Sequence, residues 1–286
     1  MATSDDFFRS VALTDLTLRV RELTTVAAFY RKVLGFLVVT ETTERLELSA
    51  TGAAPALLVL EQAPQAPPRQ PGSAGLFHVA FLYPDRAALG RIATRLQNQG
   101  VRFATGDHGV SEALYLDDPE GNGVELYADR AVEAWPAAGP DGGVTMYTIA
   151  VDLASLIAEG ARAAGPVLPV DLRIGHIHLG VSNLAATEQC YARELGFPVR
   201  QRNFPGALFL GRDGYHHHLG ANTWQSRQPA PSGALGLARF TIRFTPAEEP
   251  TKVIARLRQA GREVTERDGG FVAHDPDGIE LQIRGA

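Results

Sequence analysis

Two short segments of this chain contain five of its eight histidines. Residues 174–181 read IGHIHLGV, and residues 214–220 read GYHHHLG. Imidazole is a good ligand for zinc, copper, nickel and iron, and two histidines with one carboxylate are typical of mononuclear non-haem Fe(II) sites. The histidine density therefore predicts a metal site, and the next question is which carboxylate completes it.

Both histidine segments have the apolar character of strands. Alternation along a strand places His176 and His178 on one face. The three consecutive histidines at 216–218 would then point to both faces in turn. We therefore expect only some of the five histidines to converge on one site.

The bulk composition fits two ordinary globular domains. The chain has 286 residues, of which 45% are hydrophobic and 21% charged, with a formal net charge of -5. This balance argues against nucleic acid as a partner. The single cysteine, Cys190, excludes an intrachain disulfide and a thiolate metal cluster, and we expect it to be a small buried side chain.

The sequence shows no targeting or membrane segment. Its first residues, MATSDDFFR, lack the basic region and apolar run of a signal peptide. No stretch reaches the roughly 18 apolar residues that a membrane-spanning helix requires. We therefore expect a cytoplasmic protein with no membrane partner.

An internal repeat organises the chain. Residues 23–36, LTTVAAFYRKVLGF, recur as residues 184–197, LAATEQCYARELGF, at an offset of 161. A similar offset relates the Asp-Pro-x-Gly turns that begin at Asp118 and Asp275. Such self-similarity indicates a tandem duplication.

Each half of the duplication divides again into two modules with the order β-α-β-β-β. In the first half, periodicity predicts helices at 24–34 and 86–96 after strands at 13–20 and 76–82. Modules three and four begin near residues 174 and 237. The predicted domains are 10–130, with modules one and two, and 172–286, with modules three and four. A linker, 131–171, contains a helix at 152–161.

Four such modules predict an α+β fold of two tandem half-open barrels, each with a ligand cleft. Over nearly its whole length the chain resembles the vicinal oxygen chelate superfamily, which includes glyoxalase I, fosfomycin-resistance proteins and extradiol dioxygenases. Its closest resemblance is to the two-domain bacterial catechol 2,3-dioxygenases. These carry Tyr-His-His-His before Asn-x-Trp, found here at residues 215–224.

The resemblance implies metal ligands at the start of the first strand and on the last strand of a module. Arg239, the first-strand residue of module four, is a permanent cation without a lone pair, which argues against a site in modules three and four. The first-strand positions hold Asp15, His78, His176 and Arg239, and the last-strand positions hold Glu61, Glu125, the 216–218 run and Glu280.

Many single-chain extradiol dioxygenases take two histidines and a glutamate from their last two modules, and this chain departs from that pattern. Modules two and three restore the set with His78, His176 and Glu125. We therefore expect these residues to bind Fe(II), with Mn(II), Zn(II) or Ni(II) as alternative metals. The hypothesis requires modules two and three to pair across the two halves.

The resemblance also implies residues that handle the substrate. Tyr115, in the stretch DHGVSEALY, is expected to bond a catecholic oxygen, and His108 to contribute to the pocket. A proton-transferring histidine is expected in the triple-histidine run. The alignment favours His217, with His216 and His218 as open alternatives because a shift of one residue reverses the face of a strand.

Together these residues predict an extradiol ring-cleaving dioxygenase that acts on a small aromatic diol with O₂. Half-open sheets with exposed edges often associate, so a homo-oligomer is a candidate assembly. One alternative is a zinc or nickel lyase or isomerase of the glyoxalase type. The other is a metal-free small-molecule-binding protein of the drug-sequestering kind. Burying several imidazoles without a metal or partners costs stability, which argues against the latter.

Overall fold

A computed structural model describes residues 4–286 of the chain. Its helices and strands, in chain order, are β1 (Val11–Val20), α1 (Leu23–Ala28), β2 (Leu37–Glu41), β3 (Arg45–Ser49), β4 (Leu58–Gln62), β5 (Gly75–Tyr83), α2 (Arg86–Asn98), β6 (Ala104–Asp107), β7 (Ser111–Asp117), β8 (Gly123–Asp129), α3 (Leu153–Arg162), β9 (Arg173–Gly180), α4 (Leu184–Glu188), β10 (Val199–Gln201), β11 (Ala207–Leu210), β12 (Leu219–Asn222), β13 (Gly236–Phe244), α5 (Glu249–Gln259), β14 (Thr265–Arg267), β15 (Gly270–His274) and β16 (Glu280–Gly285).

This order repeats β-α-β-β-β four times, which confirms the α+β fold and the modular pattern expected from the sequence. N-cap side chains mark the start of two of the module helices. The side chain of Asp85 accepts the Ala88 N–H at the start of α2, and Asn183 accepts the Ala186 N–H at the start of α4. Both are N-cap residues that satisfy a backbone donor.

The helix expected at 24–34 differs from the observed one in its second half. α1 ends at Ala28, and a π-helical turn, Phe29–Leu34, continues it. The same combination recurs where α4 is followed by a π-helical turn at Gln189–Glu194. In the first copy, the N–H groups of Gly35 and Phe36 both donate to the Tyr30 carbonyl. Apolar periodicity alone does not distinguish this wider turn from an α-helical one.

Packing groups the chain into two compact units of interleaved segments. The first contains residues up to 19, residues 65–77 and residues 176–286. The second contains residues 20–64 and 78–175. The sequence-based domain boundaries stay a prediction.

In the first unit, one run of strands has the order β14-β15-β16-β13-β1, with β13 and β16 parallel. Its apolar face includes Phe240, Ile242 and Leu281, and α5 packs on β16 with Val253 and Leu257 buried. A second run joins β10, β11, β12 and β9, with β12 parallel to β9. This run positions the residues around His176.

In the second unit, β5, β8, β7 and β6 are neighbours in that order, with β5 and β8 parallel. β5 and β8 are buried on both faces, as is usual for parallel strands. α3, which lies in the segment expected to link the halves, packs closely on α2. A Cβ atom added at Gly90 would lie 2.2 Å from the Leu156 carbonyl oxygen, so this contact requires glycine.

Among residues 4–286, no helix combines the length and the apolar character needed to cross a lipid bilayer. Cys190 is fully buried, as expected from its sequence context, and burial raises the pKa of its thiol to about 12.

Candidate metal centre

The parallel pair β5 and β8 brings His78 and Glu125 together. Ala80 lies opposite Glu125 in the register, and His78, two residues before Ala80, shares its face. The His78 Nε2 atom lies 2.9 Å from Glu125 Oε2. His78 is 7% exposed and Glu125 2% exposed. An imidazole and a carboxylate are thus held in contact away from solvent.

Tyr115 lies on the other side of Glu125. The two residues are directly paired in the antiparallel ladder of β7 and β8. The Tyr115 ring also packs against His78, with their centroids 5.6 Å apart. Desolvation raises the pKa of the Tyr115 hydroxyl well above its ordinary value, and the charge of Glu125 and a hydrogen bond to it raise this pKa further.

His108 extends this group by one more hydrogen bond. It follows β6 and is half-buried. Its Nε2 atom lies 2.7 Å from the Tyr115 hydroxyl oxygen, and its Nδ1 atom lies 2.9 Å from the Tyr147 carbonyl oxygen. A chain of polar contacts therefore runs from Glu125 through Tyr115 to His108.

A close backbone approach precedes His176 on β9. A Cβ atom added at Gly175 would lie 1.7 Å from the Tyr127 hydroxyl oxygen, so the residue before His176 must be glycine unless Tyr127 moves. His176 itself is 2% exposed. Gly175 thus allows β9 to pack closely against Tyr127, in addition to the strand alternation that places His176.

The triple-histidine run lies in the loop between β11 and β12, not on a strand. The expectation that its side chains alternate between two sheet faces was wrong. The backbone turns immediately before the run, since Asp213 and Gly214 have φ values of 54° and 84°. The strand that follows begins only at Leu219.

His217 and His216 lie close to His176. The His176 and His217 ring centroids are 4.2 Å apart, whereas those of His176 and His216 are 6.2 Å apart. The Nδ1 atoms of His216 and His217 are 2.9 Å apart, so one of these nitrogens donates to the other. Of the three histidines, His217 packs most closely on the candidate ligand.

His218 has a structural environment. Its Nε2 atom donates to the Phe7 carbonyl 3.0 Å away, and its Nδ1 atom accepts the Arg212 N–H at 3.2 Å. Burial lowers the pKa of His218 from 6.5 to about 3. Both ring nitrogens of His218 are therefore engaged with backbone groups.

His178, which shares a face with His176, lies at the edge of an aromatic group. Its Nε2 atom accepts a hydrogen bond from Asn222 Nδ2 at 3.0 Å. Its ring is 5.1 Å from that of Phe77 and 5.8 Å from that of Trp224. Sequence reasoning noted the Asn-x-Trp motif but gave Asn222 no role.

The structure groups one ligand atom from each of His78, Glu125 and His176 within 4.8 Å of one another. It is the one group of three possible metal ligands found among residues 4–286. All three side chains are buried. Two neutral imidazoles and a carboxylate suit a divalent transition metal, so the donor set fits Fe(II) chemically.

The other first-strand and last-strand candidates have different partners. Asp15 accepts hydrogen bonds from Thr14 and Thr241, and Glu280 forms an ion pair with Arg267. Neither acid belongs to a group of three ligands in the described part of the chain.

The model of the Glyoxalase/Bleomycin resistance protein/Dioxygenase superfamily matches this chain twice, over residues 12–126 and 173–283. The two matches account for most of the sequence. They confirm the resemblance that the repeat and the histidine motifs indicated.

Individual relatives agree with this match. The chain is 41% identical over 266 residues to a catechol-2,3-dioxygenase of Bacillus subtilis strain 168, covering 91% of this chain and 92% of that protein. A putative dioxygenase from the same species has a similar fold, with a TM-score of 0.68, 14% identity, and coverage of 97% and 86%. Glyoxalase I from Zea mays has a TM-score of 0.55, 15% identity, and coverage of 96% and 92%.

Proposed function

The chain belongs to the Glyoxalase/Bleomycin resistance protein/Dioxygenase superfamily, and on this basis we propose that it is an extradiol dioxygenase acting on a catechol with O₂ and Fe(II). The observation that carries the proposal is the buried group of His78, Glu125 and His176. The relative at 41% identity, a catechol-2,3-dioxygenase, supports the choice of substrate class.

The three residues would hold the metal as two neutral imidazoles and one carboxylate. Such a set leaves coordination positions open for small molecules. Bound there, Fe(II) would supply charge stabilisation and a template that brings a catecholate and O₂ side by side. The pocket residues must then orient the diol and transfer protons to and from it.

Tyr115 is suited to orient one oxygen of the diol. Its hydroxyl can donate to a phenolate oxygen or accept from a phenol, and it lies beside Glu125. Because its pKa is raised well above the ordinary value, the side chain keeps its proton at neutral pH. We assign Tyr115 the role of a fixed hydrogen-bond partner of the diol, with His108 holding its hydroxyl in place.

His217 is suited to transfer protons. It lies next to His176, and the ring of Phe209, 4.9 Å away, packs on it edge to face. Histidine takes up and releases protons near neutral pH more readily than any other side chain. We assign it to take a proton from the diol and to return one as the ring opens, with both oxygen atoms of O₂ entering the product.

The test combines anaerobic purification, metal analysis and an assay with catechol. We expect activity that depends on added Fe(II) and on O₂, with a yellow ring-cleavage product. Firmly bound Zn(II) or Ni(II) with no O₂ uptake would instead support a lyase or isomerase. Catechol or drug binding without metal and without turnover would support a binding protein.

A further inference from the structure

We propose that five aromatic residues bind a phenyl substituent on the ring of the diol, which makes a phenylcatechol a better ligand than catechol itself. These residues, hereafter the aromatic strip, are Phe77, His178, Phe204, Phe209 and Trp224. The inference rests on the proposed function, because it extends the binding site of that reaction. It gives a role to His178 and to the Asn-x-Trp motif, which the proposed chemistry does not use.

The strip begins on the sheet face that carries His176. His178, two residues further along β9, shares that face. His178 lies opposite Gly220 in the parallel pairing of β9 and β12, and Gly220 lies opposite Phe209 in the antiparallel pairing of β12 and β11. Directly paired residues point to the same side of a sheet. Phe209 and His178 therefore lie on the same face as the candidate ligand.

The missing side chain at Gly220 makes room for the His178 ring. A Cβ atom added at Gly220 would lie 2.8 Å from that ring. The ring centroid of His178 is 5.7 Å from that of Phe209. Phe209 in turn packs edge to face on His217, with their centroids 4.9 Å apart. The strip is thus in contact with the histidine that we assign to proton transfer.

From His178 the strip continues to Trp224, whose ring centroid is 5.8 Å away. Phe77 contacts both of these rings, at 5.1 Å from His178 and 5.5 Å from Trp224. Phe204 connects Trp224, 5.9 Å away, with Phe209, 6.3 Å away. Each ring of the strip contacts at least two of the others, so the five form one connected group.

Exposure increases along the strip. His178 is 4% exposed, Phe209 9% and Trp224 41%, with Phe204 half-buried between them. A tryptophan that served only to fill the core would be buried, because its ring removes a large apolar area from water. The strip therefore leads from the neighbourhood of His217 to the protein surface.

Hydrogen bonds hold Trp224 in place although its side chain is exposed. Its Nε1 atom donates to the Pro205 carbonyl at 2.8 Å, and its backbone N–H donates to Asn222 Oδ1 at 3.1 Å. The Nδ2 atom of the buried Asn222 side chain donates to His178 Nε2 at 3.0 Å. One amide therefore fixes two rings of the strip. Rings that are ordered before binding lose little entropy when a ligand packs on them.

The strip favours an apolar aromatic group. Four of its members are Phe or Trp rings, which carry no charge and pack well on another ring. A carboxylate placed against them would lose its hydration without gaining a cation from the strip. The rings of Phe209 and His178 separate His217 from Trp224, so a catechol beside His217 needs a substituent to contact Trp224.

Isothermal titration of the full chain with Fe(II), kept anaerobic to prevent ring opening, measures the binding preference. The ligands are catechol, 3-phenylcatechol, 4-phenylcatechol and 3,4-dihydroxybenzoate. Trp224→Ala removes the exposed ring, and Trp224→Leu replaces it with a smaller apolar side chain. Trp135→Ala is the matched control, because Trp135 is the other of the two tryptophans and its Nε1 atom also donates to a backbone carbonyl, that of Arg130, at 2.9 Å.

We expect at least one phenylcatechol to bind about tenfold more tightly than catechol, as a few added aromatic contacts allow. The dihydroxybenzoate should bind no more tightly than catechol. Trp224→Ala should remove most of the preference for the phenyl group, and Trp224→Leu should reduce it severalfold. Trp135→Ala should retain the wild-type preference.

Equal affinity of the wild type for catechol and both phenylcatechols would overturn the inference. A preference for the dihydroxybenzoate, or a phenyl preference that survives loss of the Trp224 ring, would do so too. Trp224-dependent binding without ring cleavage would contradict only the proposed function, whereas ring cleavage without a phenyl preference would contradict only this inference. Thermal unfolding checks that Trp224→Ala is folded, and Trp224→Leu decides if it is not.

Discussion

His78 Nε2 lies 2.9 Å from Glu125 Oε2 because β5 and β8 are parallel and Ala80 is in register with Glu125. The contact joins two side chains that are 47 positions apart in the printed sequence. A register shift of one residue would turn Glu125 to the opposite face. The strand pairing that builds the second unit thus also builds part of the candidate metal centre.

Glu125→Gln removes the carboxylate charge while preserving the shape of the side chain. We expect Fe(II) affinity to fall by at least about 100-fold, beyond the loss typical for residues that only support a ligand, with loss of ring cleavage. Glu280→Gln is the matched control, because Glu280 holds the repeated position on β16 but pairs with Arg267. Isothermal titration with Fe(II) under anaerobic conditions measures the affinity of both variants. Equal affinity in the two variants would remove Glu125 from the ligand set.

Tyr115→Phe deletes the hydroxyl and keeps the ring that packs on His78. We expect kcat to fall by about 10- to 100-fold because the diol loses a fixed hydrogen bond, while metal content stays unchanged. Tyr30→Phe is the control, since Tyr30 is another tyrosine beside an acid, Asp118. It should lose about 1 kcal/mol of unfolding free energy and no kcat. Unchanged turnover in Tyr115→Phe would contradict the assigned role.

His217→Gln removes the proposed proton carrier. We expect kcat to fall by about 10²- to 10⁴-fold, the usual contribution of acid–base catalysis, and the acidic limb of the pH–rate profile to disappear. His274→Gln, at an exposed position on β15, should leave the profile unchanged. A His217→Gln enzyme with a wild-type profile would show that another group transfers the proton.

Acid should destabilise the protein through His218. Its pKa is about 3 when folded, against 6.5 ordinarily, so the unfolded chain takes up the proton first. The unfolding free energy is therefore at its full value above pH 6.5 and falls as the pH drops toward 3, with a slope of up to about 1.4 kcal/mol per pH unit. Urea denaturation between pH 7.5 and 4 measures this pH dependence of the unfolding free energy. His218→Gln should flatten this dependence, and an equally steep curve would contradict the assignment.

The repeat made most of the fold predictable. Matching residues 23–36 to 184–197 located two helices and implied four equivalent modules, which the element order bears out. The π-helical turns were not predictable, because the hydrogen-bond partners of Gly35 and Phe36 depend on how the helix end packs. Apolar spacing carries too little information to separate a wider turn from a regular one.

The candidate site was predictable where a residue type and a repeat position coincided, as for His78 and His176. The environment of the triple-histidine run was not predictable. The turn at Asp213 and Gly214 breaks the strand alternation on which the expectation depended. Sequence reasoning also missed the Tyr147 carbonyl, which lies 2.9 Å from His108 Nδ1. A backbone carbonyl has no residue-type signal, and its partner, His108, is 39 residues away.

Oxygen uptake measured together with product formation tests the central claim most directly. The Fe(II)-loaded chain, given catechol in a sealed oxygen electrode, should consume one O₂ for each ring opened, and the solution should turn yellow at the same rate. The Glu125→Gln variant should neither consume O₂ nor form the yellow product. Product formed without O₂ uptake, or a metal-loaded chain that leaves both catechol and O₂ unchanged, would contradict the assignment of this protein as an extradiol dioxygenase.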